Sequence, residues 1–221
     1  MYTKKLNTGL FIVVLLITLS NTACNRGKND NNIQYTYVNK EYVLIRDVSV
    51  LQESNDSISL FVDSILNGFI DAEIISTGKK SFDLNNDNQT DIQFEIIDLN
   101  VFNNGNLPSY LDSMAARVIP VNLQILDNST YCYPDALEEE VEIKSTGNWT
   151  NNTGVLGTFM NAGQFQGKGE RYLAIRFINN SSSYNYGWIK LYCSQHSDTL
   201  RIIEFAYNLN PEQEIKSGQK E

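Results

Sequence analysis

Hydrophobic and polar residues alternate with a period of two along most of the chain, and that period predicts strands. In residues 92–99 (IQFEIIDL), Ile92, Phe94 and Ile96 share one face, with Gln93 and Glu95 opposite. Three runs near the C-terminus carry the pattern most strongly: 171–178 (RYLAIRFI), 186–193 (YGWIKLYC) and 199–207 (TLRIIEFAY). Leu173, Ile175 and Phe177 share a face of the first, and Ile189, Leu191 and Cys193 a face of the second. The intervening NNSSSYN has turn chemistry. Residues 34–50 read as one or two strands; 58–63, 68–77, 118–126 and 139–144 are further candidates. One stretch has helical spacing instead: in 107–117, Leu111, Met114 and Ala115 recur at three- and four-residue intervals, with Ser109 placed to cap. Residues 145–169, rich in Gly, Asn and Thr, read as a long loop or irregular hairpin around Trp149 and Phe159. Together these elements predict an all-β fold, an antiparallel β-sandwich (jelly-roll-like) with at most one or two short helices.

The first 24 residues break the pattern. Lys4 and Lys5 precede an apolar run from Leu10 to Leu19, and Thr22 and Ala23 lead into Cys24. A run of about ten residues is too short to span a bilayer and matches the apolar region of an export signal. The ending looks like a lipobox, in which the Cys becomes the acylated first residue. Asn21 departs from the aliphatic residue usual there. The alternatives are an ordinary signal peptide cut near Ala23, or a retained anchor. The polar residues 25–33 read as a tether reaching roughly 16 Å. The expected organisation is therefore a signal peptide over 1–23, lipidated Cys24 and tether over 24–33, and one β-sandwich domain over 34–221. The expected location is the cell envelope, as an outer-membrane lipoprotein facing the periplasm or the surface; a secreted protein is the alternative.

Composition agrees with strands: 12 Tyr and 10 Phe accompany only 4 Pro and 3 Met. The chain carries 17 basic and 26 acidic residues. Removing Lys4 and Lys5 with the leader leaves 15 basic residues and a net charge of −11. An acidic body without a basic stripe repels phosphate backbones, so no nucleic-acid partner is expected. With Cys24 acylated, Cys132 and Cys193 remain as an even pair in an oxidising compartment and are expected to form a disulfide; two buried free thiols are the alternative.

The sharpest chemical signal is SFDLNNDNQTDIQFEI, residues 81–96. Asp83, Asn85, Asp87 and Asp91 occupy the first, third, fifth and ninth positions of a loop, and the carbonyl of Gln89 the seventh. Alternate residues of a tight turn converge on one point, and Ca²⁺ takes six to eight oxygens. The sixth position is Asn88, which tolerates the left-handed conformation. The twelfth is Phe94, so the bidentate Glu of an EF-hand is absent. We expect a structural calcium clip in a β domain; the alternative is an Asn/Asp turn without metal.

Further on, RYLAIRF, YNYGWIKLYC, LRIIEFAYN and EIKSG follow one another. With DLNNDNQTD upstream, the ordered set resembles a family of exported Bacteroidetes-type lipoproteins of unknown function. Tyr172, Leu173, Arg176 and Phe177 match its first strand motif, with Ala174 where Gly is usual. Tyr186, Gly187, Trp188, Ile189 and Leu191 match the second, Ala206 and Tyr207 the third, and Ile215 and Gly218 the close. The resemblance covers residues 80–218. It implies an outer-surface or secreted β-sandwich and no particular activity.

Phosphate-loop, dinucleotide, nucleophile-elbow and zinc-protease motifs are absent. The single His196 lies in a turn-like SQHSD. The expectation is a lipid-anchored, non-catalytic module for binding or adhesion, with glycan as one candidate ligand and Trp149, Tyr184 and Tyr186 as candidate surface aromatics. A structural partner in an envelope complex and a glycan hydrolase are the alternatives.

Overall fold

The computed structural model describes residues 32–45, 73–75, 78–98, 114–131, 133–158, 162–178 and 183–221. Among these residues there is no helix. The strands are β1 (Ile33–Ile45), β2 (Glu73–Ile75), β3 (Lys79–Phe82), β4 (Ile92–Asp98), β5 (Met114–Pro120), β6 (Leu123–Asp127), β7 (Ala136–Leu137), β8 (Glu142–Ile143), β9 (Asn148–Thr150), β10 (Gly154–Thr158), β11 (Glu170–Ile178), β12 (Tyr184–Cys193), β13 (Thr199–Asn208) and β14 (Ile215–Lys216). The large sheet runs β2-β1-β13-β12-β11-β6-β9, with β7 beside β6 on the edge of β11. The second sheet runs β10-β5-β4-β3, and β14 and β8 form a separate ribbon. Pairing between these strands is antiparallel except for β1 with β2. The all-β sandwich expected from the period-two pattern is what forms.

The main core lies between the two sheets. Leu173, Ile175 and Phe177 of β11 and Ile189, Leu191 and Cys193 of β12 meet Ile92, Phe94 and Ile96 of β4, each on the face the alternation assigns. Phe82 stacks edge-on against both Phe94 and Tyr42. Fully burying each aliphatic side chain contributes roughly 1.5–3 kcal/mol. In β13 the alternation fails at the adjacent Ile202 and Ile203, and a bulge resolves the conflict. Ile189 faces Phe205 and Lys190 faces Glu204, but Leu191 faces Ile202, so Ile203 is the extra residue. Leu200, Ile202 and Phe205 all reach the main core as a result.

The opposite face of the large sheet is also covered. Trp188 has Ala174 and Ala206 as its direct neighbours on the flanking strands. All three are fully buried. Two small side chains beside the indole leave it room to lie against the sheet. Tyr172 packs edge-on against it, ring centroids 5.3 Å apart. The lid is the β8–β14 ribbon, which adds Ile143 and Ile215 to this second core. The C-terminal segment fixes it: the Trp188 indole N–H donates to the Gln219 carbonyl at 3.1 Å, and the Ser217 hydroxyl to the Glu138 carbonyl at 2.6 Å. Gly187 is required by close approach, since a Cβ there would lie 2.5 Å from the Ala206 carbonyl oxygen.

The helix expected over 107–117 is corrected where it can be seen. Met114, Ala115, Ala116 and Arg117 are in β5, with Met114, Ala116 and Val118 in the core and Arg117 ion-paired to Glu95 on β4. The spacing of Met114 and Ala115 fits either element; pairing with β4 selects the strand. Residues 107–113, 58–63 and 68–72 lie outside the described residues. Within 145–169, expected as loop or hairpin, β9 pairs with β6 and β10 with β5, so they extend opposite sheets.

Candidate functional site

The five residues expected to hold calcium lie on one hairpin loop, residues 83–91, between β3 and β4. The loop forms because short polar side chains replace the strand ladder as acceptors. Asp83 accepts the N–H groups of Asp87 (3.2 Å) and Asn88 (2.8 Å) on its two carboxylate oxygens. Asn85 accepts the Asp87 N–H at 2.9 Å, and Asp87 the Gln89 N–H at 2.8 Å. Asn86 and Asn88 take the left-handed conformation, with φ of 62° and 66°, which Asn adopts at low cost. Leu84 turns inward and is buried, plugging the loop into the core.

Asp91 differs from the others. It is 1 % exposed, whereas Asn85 and Asp87 lie at the surface. Its Oδ2 accepts the Leu84 N–H at 2.8 Å, while Oδ1 is buried with no hydrogen-bond partner. Burial raises its pKa above the usual carboxylate range; the charges of Asp87 and Asp83 add to the rise, and backbone N–H groups of Leu84 and Asn85 oppose it. A buried, unsatisfied carboxylate oxygen is costly and calls for an explanation. The loop offers only oxygen donors, which suits a hard cation. Among the described residues no three His, Cys, Asp or Glu side chains form a ready-made metal cage. A cation here would therefore draw on Asn85 and the Gln89 carbonyl as well as on carboxylates.

The loop stands against a corner of the sandwich. β5 of the small sheet ends at Pro120, and β6 of the large sheet begins at Leu123. The two corner residues donate their N–H groups to one acceptor, the Asp91 carbonyl: Val121 at 2.9 Å and Asn122 at 3.1 Å. The Asn122 side chain donates to the Thr90 carbonyl at 2.9 Å. Between loop and corner lies a cleft of about 420 Å³. Asn85, Asp87, Gln89 and Asp91 line it on the loop side. The corner adds residues 121–124, and Asn151, Phe177 and Ile178 complete it. Val121 and Ile178 are exposed apolar side chains, 49 % and 60 % accessible, so the lining mixes accessible apolar groups with amides and carboxylates.

The aromatic candidates gather elsewhere, on the outer face of the large sheet. Trp149 packs on Tyr186 with centroids 6.0 Å apart, and the Arg176 guanidinium lies 4.8 Å from the Trp149 ring centre and 3.8 Å from that of Tyr184. Tyr186 is fully buried and donates to Glu212 at 3.1 Å; it is a packing residue rather than a surface aromatic. Trp149 and Tyr184 are half-buried around the cation. The group touches the cleft indirectly, because Arg176 donates to the Gln124 side chain at 2.7 Å and Gln124 lines the cleft.

Cys193 is a free thiol, wholly buried, and its pKa is pushed up to about 12 by burial. No disulfide is seen among the described residues; Cys193 lies in the main core near Gly157 and Ser197. Cys132 lies outside the described residues, as do Cys24 and the segment around Phe159.

Sequence reasoning did not find Val121, Asn122, Gln124 or Ile178, and reached Asn151 only as one of the Asn residues of the 145–169 loop. They come from three separate parts of the chain and share no motif; only folding brings them to the loop. Comparison with protein-family models, curated proteins and solved structures finds no match to this chain.

Proposed function

We propose that this chain is an exported protein anchored by lipid at Cys24, whose β-sandwich is a non-catalytic binding module. The observation that carries the reading is the cleft between the 83–91 loop and the 121–122 corner, whose lining combines the exposed apolar Val121 and Ile178 with amides and carboxylates. Such clefts, fixed on rigid strands, are default ligand sites. Its carboxylates favour binding over catalysis: Asp87 and Asp91 each accept backbone N–H groups of their own loop, which ties them to structure. The net charge of −11 on the mature chain weighs against nucleic acid. A leader of the lipobox type supports delivery to the envelope, and the resemblance to exported Bacteroidetes-type lipoproteins points the same way.

In this reading Ca²⁺ is held by Asp83, Asn85, Asp87, the Gln89 carbonyl and Asp91, and it stabilises the edge that carries the cleft. Extracellular calcium sites are filled at millimolar ion. Occupancy at about 100 times the dissociation constant adds about 2.7 kcal/mol, or about 5–10 °C in melting temperature for a domain of this size. Two measurements test the proposal. Metabolic labelling with an alkynyl fatty acid tags the wild-type chain and not Cys24→Ala; labelling of both, or a cytosolic location, refutes the anchor. Melting of the full chain falls in EGTA and recovers with calcium; identical melts in both refute the ion.

A further inference from the structure

We infer that the outer face of the large sheet carries a binding pocket for a primary alkylammonium ion, and that the chain fills it with its own Lys220, so that residues 218–220 act as an intramolecular ligand strapped over the second core. The pocket is built around Glu204 of β13. Its side chain is 7 % exposed, which is rare for a carboxylate and costly unless a cation compensates. Tyr35 of β1 donates its hydroxyl proton to Glu204 Oε2 at 2.7 Å. With that proton committed, the phenol oxygen is left to accept, and it accepts the Lys220 Nζ at 3.3 Å. The same Nζ donates to Glu204 Oε2 at 2.8 Å and stands 4.7 Å from the centre of the Tyr35 ring. Carboxylate, phenol oxygen and ring face are the contacts that a compact ammonium, with its several N–H donors, takes.

The two ions of this pair are not equally bound to the fold. Glu204 sits within β13, paired with Tyr37 of β1 on one side and Lys190 of β12 on the other. Lys220 has a side chain 43 % exposed. It lies beyond Ser217, which is wholly buried and anchored on the Glu138 carbonyl, and beyond Gly218, whose φ of 83° lets the chain swivel there. Past that point the strap reaches the large sheet through the Gln219 carbonyl on the Trp188 indole and through the Lys220 ammonium. The anion is therefore fixed and shielded, whereas the cation touches solvent and can leave. Departure of Lys220 strands a buried carboxylate, a state costly enough to draw in another cation. Lys190, which faces Glu204 across the strands, is held by Glu170 at 2.9 Å. An amine that takes the place of Lys220 also loosens the cover on Trp188, so occupancy of the pocket controls the strap.

The test is chemical rescue in the full chain, read by thermal melting in detergent. Lys220→Ala leaves the pocket without the Cγ, Cδ, Cε and Nζ atoms, which are those of propylammonium. Propylammonium chloride is therefore the probe, with sodium chloride at equal ionic strength as the control. Lys220→Ala should melt below the parent, and the probe at about ten times its dissociation constant should raise the midpoint by about 3–6 °C. The parent, whose pocket is filled, should not respond. In the Lys220→Ala background, Tyr35→Phe should raise the amine concentration needed about fivefold, the effect of one lost hydrogen bond, and Glu204→Gln, close in shape but uncharged, should abolish the rescue. Hydrogen exchange at the Gln219 amide should quicken in Lys220→Ala and slow again with the probe. Nα-acetyl-lysine amide separates the sources of the ammonium: a response to it as well extends the site to a partner's lysine, and a response to propylammonium alone confines it to small amines. Equal midpoints in propylammonium and sodium chloride overturn the pocket and leave an ordinary ion pair, and so does a response that survives Glu204→Gln. A parent that responds as strongly as Lys220→Ala overturns Lys220 as the resident ligand.

Discussion

Replacing Trp188 with Ala tests whether the second core is part of the fold's stability or only a cover on a finished sandwich. The indole is fully buried, bounded by Ala174 and Ala206, edge-on to Tyr172, and hydrogen-bonded to the Gln219 carbonyl. Truncating a buried Trp to Ala costs about 3–5 kcal/mol. The lost hydrogen bond adds about 1 kcal/mol. For a domain of this size each kcal/mol is about 2–4 °C, so Trp188→Ala should melt about 10–20 °C below the parent. Trp188→Phe keeps most of the packing and should cost about 2 kcal/mol, mainly through the stranded carbonyl. Thermal melts by circular dichroism measure the loss. Hydrogen exchange locates it, because the amides of Ile215 and Lys216 should exchange much faster in the variant while β4 and β5 stay protected. A loss below about 1 kcal/mol, or faster exchange spread evenly over both sheets, would refute the claim that β8, β14 and the C-terminal segment are locked through this side chain.

Further outcomes follow from single residues. Gly187→Ala forces a Cβ to within 2.5 Å of the Ala206 carbonyl and should destabilise by about 1–3 kcal/mol; a neutral denaturant midpoint would show that the strands separate freely. Asp91→Ala should abolish the calcium-dependent rise in melting temperature and also cost about 1–3 kcal/mol in EGTA, because the buried Leu84 N–H loses its acceptor; an intact calcium response would exclude Asp91 as a ligand. Cys193 should resist iodoacetamide at pH 8 in the native protein and react on unfolding, since its thiol lies in the core. Because its folded pKa is raised above the usual value of 9.0 to about 12, its stabilising contribution is complete below pH 9 and fades as pH climbs toward 12. Rapid native labelling at pH 8 would contradict the burial.

Much of the fold was legible because alternation is a local property. Ile92, Phe94 and Ile96 face the core, as do Leu173, Ile175 and Phe177, because the Cβ atoms of a strand point to opposite faces by geometry alone. The 83–91 loop was legible for a similar reason: Asp and Asn act on nearby N–H groups, and those bonds span no more than seven residues. Where local signals were compatible with two elements, as at Met114 and Ala115, sequence favoured the helix and pairing with β4 made a strand.

What tertiary structure alone decided is which surfaces meet. Period two says that Trp188 and Leu191 lie on opposite faces of β12, but not that the outer face is buried too; that depends on Ile143 and Ile215, more than 70 residues apart, forming a ribbon over it. The cleft exists because a two-residue corner turns the chain from one sheet into the other and hangs both its N–H groups on the Asp91 carbonyl. A strand's own residues set its faces, whereas its neighbours are chosen by the combined packing of the whole sandwich, and a site assembled from four separate parts of the chain exists only once that choice is made.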